Sequence, residues 1–231
     1  MRDALLEALA LLAQFDARLL DIVGLSLRVS LGAVLVGALI GLPLGAWLAV
    51  ARFRGRTVAL VLLNGLMGLP SVVVGVVVYL ALSRSGPFGS LGLLFSPTAM
   101  VIAQATLVVP LVAALTRQIV EDAWGEYRDE FTVIGFSRLR CVLLLLHDCR
   151  HSLLVTLLAG IGRAMSEVGA VMIVGGNIDQ VTRVMTTAIA LETSKGDLPL
   201  AIALGLVLLA VVIALNAVAF GIRRWAMRRF A

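Results

Sequence analysis

Long apolar stretches alternate with charged segments along this chain. A bilayer core of about 30 Å needs roughly 20 apolar residues in a helix to cross it. Five stretches meet that length, at residues 25–50, 58–82, 97–116, 153–175 and 199–222. The pattern therefore predicts an all-α integral membrane protein with five transmembrane helices.

The composition agrees with a membrane protein. Of the 231 residues, 61% are hydrophobic and 14% are charged, whereas soluble domains are roughly 45–50% apolar and about 25% charged. The formal net charge is +5, which in a soluble protein would favour nucleic-acid binding. Here the arginines lie mainly between the spans, so we expect no nucleic-acid partner.

The basic residues predict the orientation. They concentrate in three segments, residues 51–57, 117–152 and 223–229. The other two loops contain only Arg84, Arg183 and Lys195. Loops rich in arginine and lysine stay in the cytoplasm, so the N-terminus is predicted to lie outside and the C-terminus in the cytoplasm.

Residues 1–20 have a different pattern from the predicted transmembrane domain, residues 21–231. Apolar side chains recur at helical spacing, at Leu5, Leu9, Leu12, Phe15 and Leu19. Acids and Arg18 lie off that face, as in a helix that rests on a membrane surface. We expect an amphipathic helix at the outer surface; a sixth span stays as the alternative.

Polar and helix-bending residues cluster inside the second predicted span. The stretch "NGLMGLPS" contains Asn64, Pro70 and Ser71. Glycine and proline in spans serve close helix packing, or they bend helices around a transport path. Asn64, Pro70 and Ser71 are therefore candidates for the path or its gate.

Two opposite charges lie inside the fourth predicted span. Arg163 and Glu167 are four residues apart and share a helix face. Ionisable groups within a membrane are costly and face a protein interior or a path. The pair could neutralise itself and hold helices together, or it could line the gate with Ser166.

The segment 117–152 is much longer than a simple connection needs. We expect a helix that breaks at Gly125, a short helix at 129–140 containing a break at Gly135, and Ser137 as a cap for the helical run after it. Its exposed apolar side chains are Phe131, Val133, Ile134, Phe136 and Leu139. Such a surface usually marks a partner site, although a helix on lipid headgroups is the simpler alternative.

Metal and nucleotide chemistry find little support in the sequence. Cys141, His147, Cys149 and His151 do not follow a usual zinc spacing, and on a helix they would not converge. A cytoplasmic position also gives no reason to expect a disulfide. The phosphate-binding pattern GxxxxGK[ST] does not occur, so we expect no cofactor, no metal and no ATP hydrolysis by this chain.

Segment 117–152 resembles the cytoplasmic coupling loop of ABC importer permeases. With Gly135 as the motif glycine, Asp129, Glu130 and Phe131 occupy the first three motif positions, and Leu145, His147 and Asp148 the last ones. The acid and the glycine match, but the alanines, the leucine and the proline do not. Residues 64–104, 166–178 and 182–197 closely resemble permeases of the tungstate importer group.

The resemblance implies a type I ABC permease (MetI-like) core that works as a homodimer in a bacterial or archaeal inner membrane. Two ATPase subunits would dock on the cytoplasmic side, and an external solute-binding protein would deliver an oxyanion, most simply tungstate. The residues that contact the ATPase would be Asp129, Glu130, Phe131, Gly135, Phe136, Ser137 and Arg138.

Other functions stay open from the sequence. A molybdate or sulfate ABC permease is one alternative, because those permeases resemble the tungstate group. A secondary transporter would need more ion sites or an inverted repeat. An intramembrane enzyme would need histidines or acids that converge within the spans, yet His147 and His151 fall in or beside the cytoplasmic loop. A purely structural membrane subunit is a further possibility.

Overall fold

The computed structural model describes residues 17–230 of the chain. Nine α-helices run through these residues: α1 (Ala17–Val50), α2 (Arg56–Met67), α3 (Ser71–Leu82), α4 (Pro97–Ile134), α5 (Arg138–Asp148), α6 (Arg150–Met165), α7 (Gly169–Gly175), α8 (Met185–Lys195) and α9 (Leu198–Phe230). A short 3-10 helix, Gly89–Leu91, lies between α3 and α4. The all-α prediction is confirmed for the described residues. The amphipathic helix predicted for 1–20 falls largely outside them.

The described helices contain three continuous candidate spans. These are Leu19–Val50, Pro97–Ile134 and Leu198–Val218. Two interrupted pairs, α2 with α3 and α5 with α6, raise the number to five if each pair counts as one span. Because α5 and α6 meet at 77°, α5 does not continue the direction of the span that comes after it.

Two predicted spans are interrupted. The second, 58–82, divides between α2 and α3, where Pro70 takes the extended conformation that precedes a helix. Proline lacks an N–H to continue a helix. The chain bends at "NGLMGLPS", which is one of the two alternatives that the sequence left open. The fourth, 153–175, was predicted as continuous; this was wrong, because α6 ends at Met165 and α7 begins at Gly169.

The chain contains two compact units, and the first comprises residues 17–32, 70–104 and 164–217. In this unit α3 packs closely on α7. A Cβ at Gly75 would lie only 2.8 Å from the Cα of Ala170, so this position has room only for glycine. Met100, Met185 and Leu204 of the same unit are fully buried.

The second unit comprises residues 33–69, 105–163 and 218–230. Its α1 segment packs on α4 through Gly37, Gly41 and Gly45, which recur every fourth residue. A Cβ at Gly41 would lie 2.9 Å from a methyl group of Val112, and one at Gly45 would collide with the backbone of Ala113. Small residues that let helix backbones approach are typical of membrane proteins.

Candidate functional site

The end of α4 is a sharp turn that we call the elbow, residues 135–137. Gly135 has φ +78°, a conformation that costs other residues about 1–2 kcal/mol. The N–H groups of Gly135 and Phe136 both donate to the Phe131 carbonyl at 3.1 Å, a common way to close a helix C-terminus. Ser137 then caps α5 by accepting from the Arg140 N–H. The predicted Gly135 break and Ser137 cap are confirmed.

Two predictions for this segment were wrong. Gly125 does not break a helix, because α4 continues through it to Ile134. Residues 129–140 do not form one short helix either. They comprise the last turn of α4, the elbow and the first turn of α5.

An aromatic cluster supports the elbow from within. Trp124, Tyr127 and Phe136 surround Phe131, with ring centroids 5.7–6.1 Å from its own. The cluster packs against the buried side chains of Cys141, Val142 and Leu145. Phe131 and Phe136 are thus half-buried rather than freely exposed, contrary to the sequence prediction, and they hold α5 against α4.

The surface around the elbow, formed by the end of α4 and the start of α5, combines exposed apolar and charged side chains. Val133 is 88% exposed, and Ile134 and Leu139 are 61% and 71% exposed. Asp129 and Glu130 are exposed in the last turns of α4, and Arg138 begins α5. The guanidinium of Arg140 lies 4.5 Å above the ring of Phe136. This arrangement suits contact with another protein, because monomers rarely leave such apolar surface uncovered.

A charged network joins the neighbouring helix ends. Arg56, at the start of α2, donates to Glu121 of α4 at 2.8 Å and to the Leu48 carbonyl of α1 at 3.1 Å. Arg117 binds the other oxygen of the same carboxylate. Arg56 therefore connects three helices of the second unit near the arginine-rich loop, and Glu121 is its partner on α4.

A second candidate region is the break at residues 166–168, between α6 and α7. Glu167 is only 3% exposed there, and its carboxylate accepts from the Ala170 N–H at 3.4 Å, at the start of α7. The Thr186 hydroxyl of α8 donates to the Glu167 carbonyl at 2.8 Å. The Gln104 amide of α4 donates to the Ala164 carbonyl at 2.9 Å. Side chains from two other helices thus hold the break.

One family of known transport proteins matches most of the chain. The family described as "binding-protein-dependent transport system inner membrane component" matches residues 41–231. The chain belongs to this family. It is a type I ABC permease, as the resemblance in the sequence implied.

Three relatives are similar over most of the permease. A "tungstate uptake system permease protein" of Peptoclostridium acidaminophilum is 43% identical, over 94% of this chain and 95% of its own. A "probable anion ABC transporter permease protein" of Haloferax volcanii is 42% identical, over 86% and 88%. A tungstate permease of Campylobacter jejuni is 37% identical, over 68% and 66%. Permeases named for molybdenum and sulfate transport match at lower identity.

The structure places the predicted path residues of this permease in different settings. Ser71 lies against the start of α7, since a Cβ at Gly169 would be 3.1 Å from its hydroxyl oxygen. In the first unit the α3 start and the 166–168 break are therefore neighbours. Pro70 is exposed at that start, and Asn64 is exposed on α2 in the second unit. Arg163 is half-buried and Ser166 exposed, whereas Glu167 is buried.

Sequence reasoning missed the polar side chains that hold the break. Gln104 is 3% exposed and Thr186 is 9% exposed. Gln104 stands alone in the apolar run "VIAQATLVV". A lone amide in a span is a signal that could have identified it, because buried polar groups need partners. Among the described residues, no three His, Cys, Asp or Glu side chains group as metal ligands would.

Proposed function

We propose that this permease forms the membrane path of an ATP-driven tungstate importer in the inner membrane of a bacterial or archaeal cell. The observation that carries the proposal is the 43% identity to a named tungstate permease across nearly the full length of both chains. The arrangement comprises a homodimer, two ATPase subunits in the cytoplasm and an external binding protein. The N-terminus lies outside and the C-terminus in the cytoplasm.

The elbow, with the end of α4 and the start of α5 on either side of it, is the proposed contact with the ATPase. Val133, Ile134 and Leu139 supply exposed apolar surface, and the charges of Asp129, Glu130 and Arg138 surround it. Apolar anchors give an interface its affinity, and charges at the rim give it orientation. Phe131 and Phe136 transmit movement of this surface to α4 and α5, because both rings pack into the buried cluster.

The start of α3 and the 166–168 break, which are neighbours in the first unit, are the proposed gate. Interrupted helices expose backbone groups where transporters bind or release ions. Ser71 and Ser166 offer neutral hydroxyl groups, and Pro70 lies at the same helix start. Asn64, in the second unit, is proposed separately as a residue of the path. Arg163 and Glu167, four residues apart in the sequence, carry opposite charges, so the stretch 163–168 has no net charge that would trap an oxyanion. Weak interactions suit a transport path, because the anion must be released after each contact.

The test is uptake by proteoliposomes that contain the permease with its ATPase and binding protein. Tungsten inside the vesicles should rise only with ATP. Excess molybdate or sulfate should compete less well than unlabelled tungstate. Uptake driven by an ion gradient without ATP would instead indicate a secondary transporter. Equal or stronger competition by sulfate or molybdate would contradict tungstate as the substrate.

A further inference from the structure

The α6 helix ends inside the protein, where its last carbonyl groups need partners. The final four carbonyls of a helix have no N–H four residues ahead to bind, and water is scarce in a buried site. Ala164 is 2% exposed, and its carbonyl accepts from the Nε2 atom of Gln104 at 2.9 Å. The Glu167 N–H is farther away, at 3.4 Å. Gln104 is therefore the better donor to this carbonyl.

The Gln104 bond also has a particular place in the chain. Gln104 is the residue at which α4 leaves the first unit, and Ala164 is the residue at which the chain returns to it. They lie 60 positions apart in the sequence. One side-chain hydrogen bond therefore holds together, within the first unit, the residue at which the chain leaves this unit and the residue at which it returns.

The Gln104 side chain also contains an amide oxygen, Oε1, which the bond to Ala164 does not use. The Oε1 atom of Gln104 is buried and has no hydrogen-bond partner within the protein. Turning the amide over would not help, because Oε1 would then face the Ala164 carbonyl, and two acceptors cannot bond. A buried acceptor needs a donor, and the donor must come from a molecule other than the protein.

A small cavity lies beside this amide. It measures about 10 Å³, and Gln104 shares its lining with Ser26, Ser30, Ala164, Met185 and Thr186. About 10–15 Å³ on this measure is the room that one water molecule needs. An oxyanion such as tungstate has four oxygens, each about as large as a water. Its charge would also face an acceptor atom, so the cavity is too small and wrongly polarised for the substrate.

We propose that Gln104 positions the 166–168 break and that the cavity beside it binds one water molecule. The water donates to Gln104 Oε1 and exchanges hydrogen bonds with the hydroxyl of Ser30, which is 3% exposed. The Ser26 oxygen, which already accepts from the Met185 N–H at 2.8 Å, offers a further partner. When the break moves, the Nε2 group can donate to this water in place of the Ala164 carbonyl. The role in transport rests on the proposed function; the water site does not.

The first experiment replaces the amide without shortening the side chain. Gln104→Met is placed in the permease, which is assembled with its ATPase and binding protein in proteoliposomes. Tungstate imported per ATP hydrolysed should fall by about fivefold, the effect of losing one buried hydrogen bond of about 1 kcal/mol. The amount of assembled complex and the half-saturating concentration of loaded binding protein should not change. The matched control is Gln118→Met, at an exposed glutamine of the same helix.

The outcomes separate positioning from general damage. An unchanged ratio of tungstate to ATP in Gln104→Met would overturn the positioning role. A second variant, Thr186→Val, removes the hydroxyl that holds the other side of the break, with exposed Thr193→Val on α8 as its control. Because both side chains hold one break, the combined variant should lose less than the product of the two single losses. A combined loss equal to the product of the two single losses would overturn the shared role of Gln104 and Thr186.

The water is tested without any transport. An electron cryomicroscopy map that shows ordered waters should contain one peak within hydrogen-bond distance of Gln104 Oε1, and the peak should vanish in Gln104→Met. Absence of the peak in the wild-type map would overturn the water site. If the wild-type transporter does not import tungstate but the peak is present, the proposed function fails and the water site stands.

Discussion

The elbow and the 166–168 break are two interruptions of helices that are held in different ways. At the elbow, the chain is turned by groups within a few residues: the Gly135 backbone, the Phe131 carbonyl and the Ser137 hydroxyl. At the break, the carbonyls of Ala164 and Glu167 are bound by Gln104 and Thr186, which lie 60 and 19 residues away. One turn is local and the other depends on tertiary structure.

This difference suits two mechanical roles. A turn specified by neighbouring residues keeps its shape when its surroundings move. The elbow can therefore transmit movement of the partner to α4 and α5 as a rigid unit. A turn held by side chains from α4 and α8 changes when those helices shift, so the break can respond to them. We therefore expect substitutions at the elbow to affect the partner contact, and substitutions at the break to affect transport within an assembled complex.

The largest effect should come from a charge within the aromatic cluster. Phe136→Asp places a carboxylate between Phe131 and buried apolar residues, which is costly without a partner. The purified permease should still insert into the membrane but should no longer carry its ATPase. Co-purification from detergent followed by identification of the bound chains measures this. Phe88→Asp, at an exposed phenylalanine of the 83–96 loop, is the control, and full ATPase recovery with Phe136→Asp would contradict the elbow as contact.

The next largest effect is expected at Gly135, and it is compared with Gly125 in the same segment. Gly135→Ala puts a side chain at φ +78° and should destabilise the elbow by about 1–2 kcal/mol, lowering tungstate imported per ATP. Gly125→Ala lies in helical backbone, with no atom within 4 Å of the added Cβ. It should stabilise by up to about 1 kcal/mol. Thermal unfolding in detergent and uptake measure both; equal effects would mean that the two positions are equivalent after all.

A smaller effect is expected at Glu121, whose ion pairs stabilise α4 at a distance from the elbow. Glu121→Gln weakens the bonds to Arg56 and Arg117, which are part-exposed. Pairs of this kind contribute modestly, so uptake should fall by no more than about threefold. Added salt should reproduce part of the loss in the wild type. Glu126→Gln, an exposed acid on the same helix, should have no effect, and a loss as large as that of Phe136→Asp would show that Glu121 does more than brace.

The same contrast explains how well each region could be predicted. The Gly135 turn and the Ser137 cap were predictable because their causes lie in neighbouring residues. Gly125 was misread because glycine in a helix is a weak signal, and here Trp124 and Tyr127 on either side pack into the aromatic cluster and keep the helix continuous. Length and hydropathy predicted most spans, including the start of α9 at Leu198 after Asp197.

The break could not be predicted in this way. "SEVG" contains no proline, and the interruption of the fourth span depends on contacts with α4 and α8 that only the folded chain makes. The sequence did indicate a site at Glu167, since an acid in a span needs a reason. It did not identify Gln104 as a partner, because nothing local connects residue 104 with residue 164.

The smallest predicted effect tests how local the elbow is. Ser137→Ala removes a side-chain cap whose bond to the Arg140 N–H is long, at 3.4 Å, and exposed. The loss should therefore be at the low end for such caps, about 0.5 kcal/mol, and Ser137→Asp should restore it, because a carboxylate accepts the same bond and suits a helix N-terminus. Thermal unfolding of the three proteins measures this order. If Ser137→Ala instead loses as much stability as Gly135→Ala, the serine stabilises the elbow through more than this one bond. Loss of ATPase co-purification without loss of stability would show that Ser137 acts in the partner contact and not only as a cap.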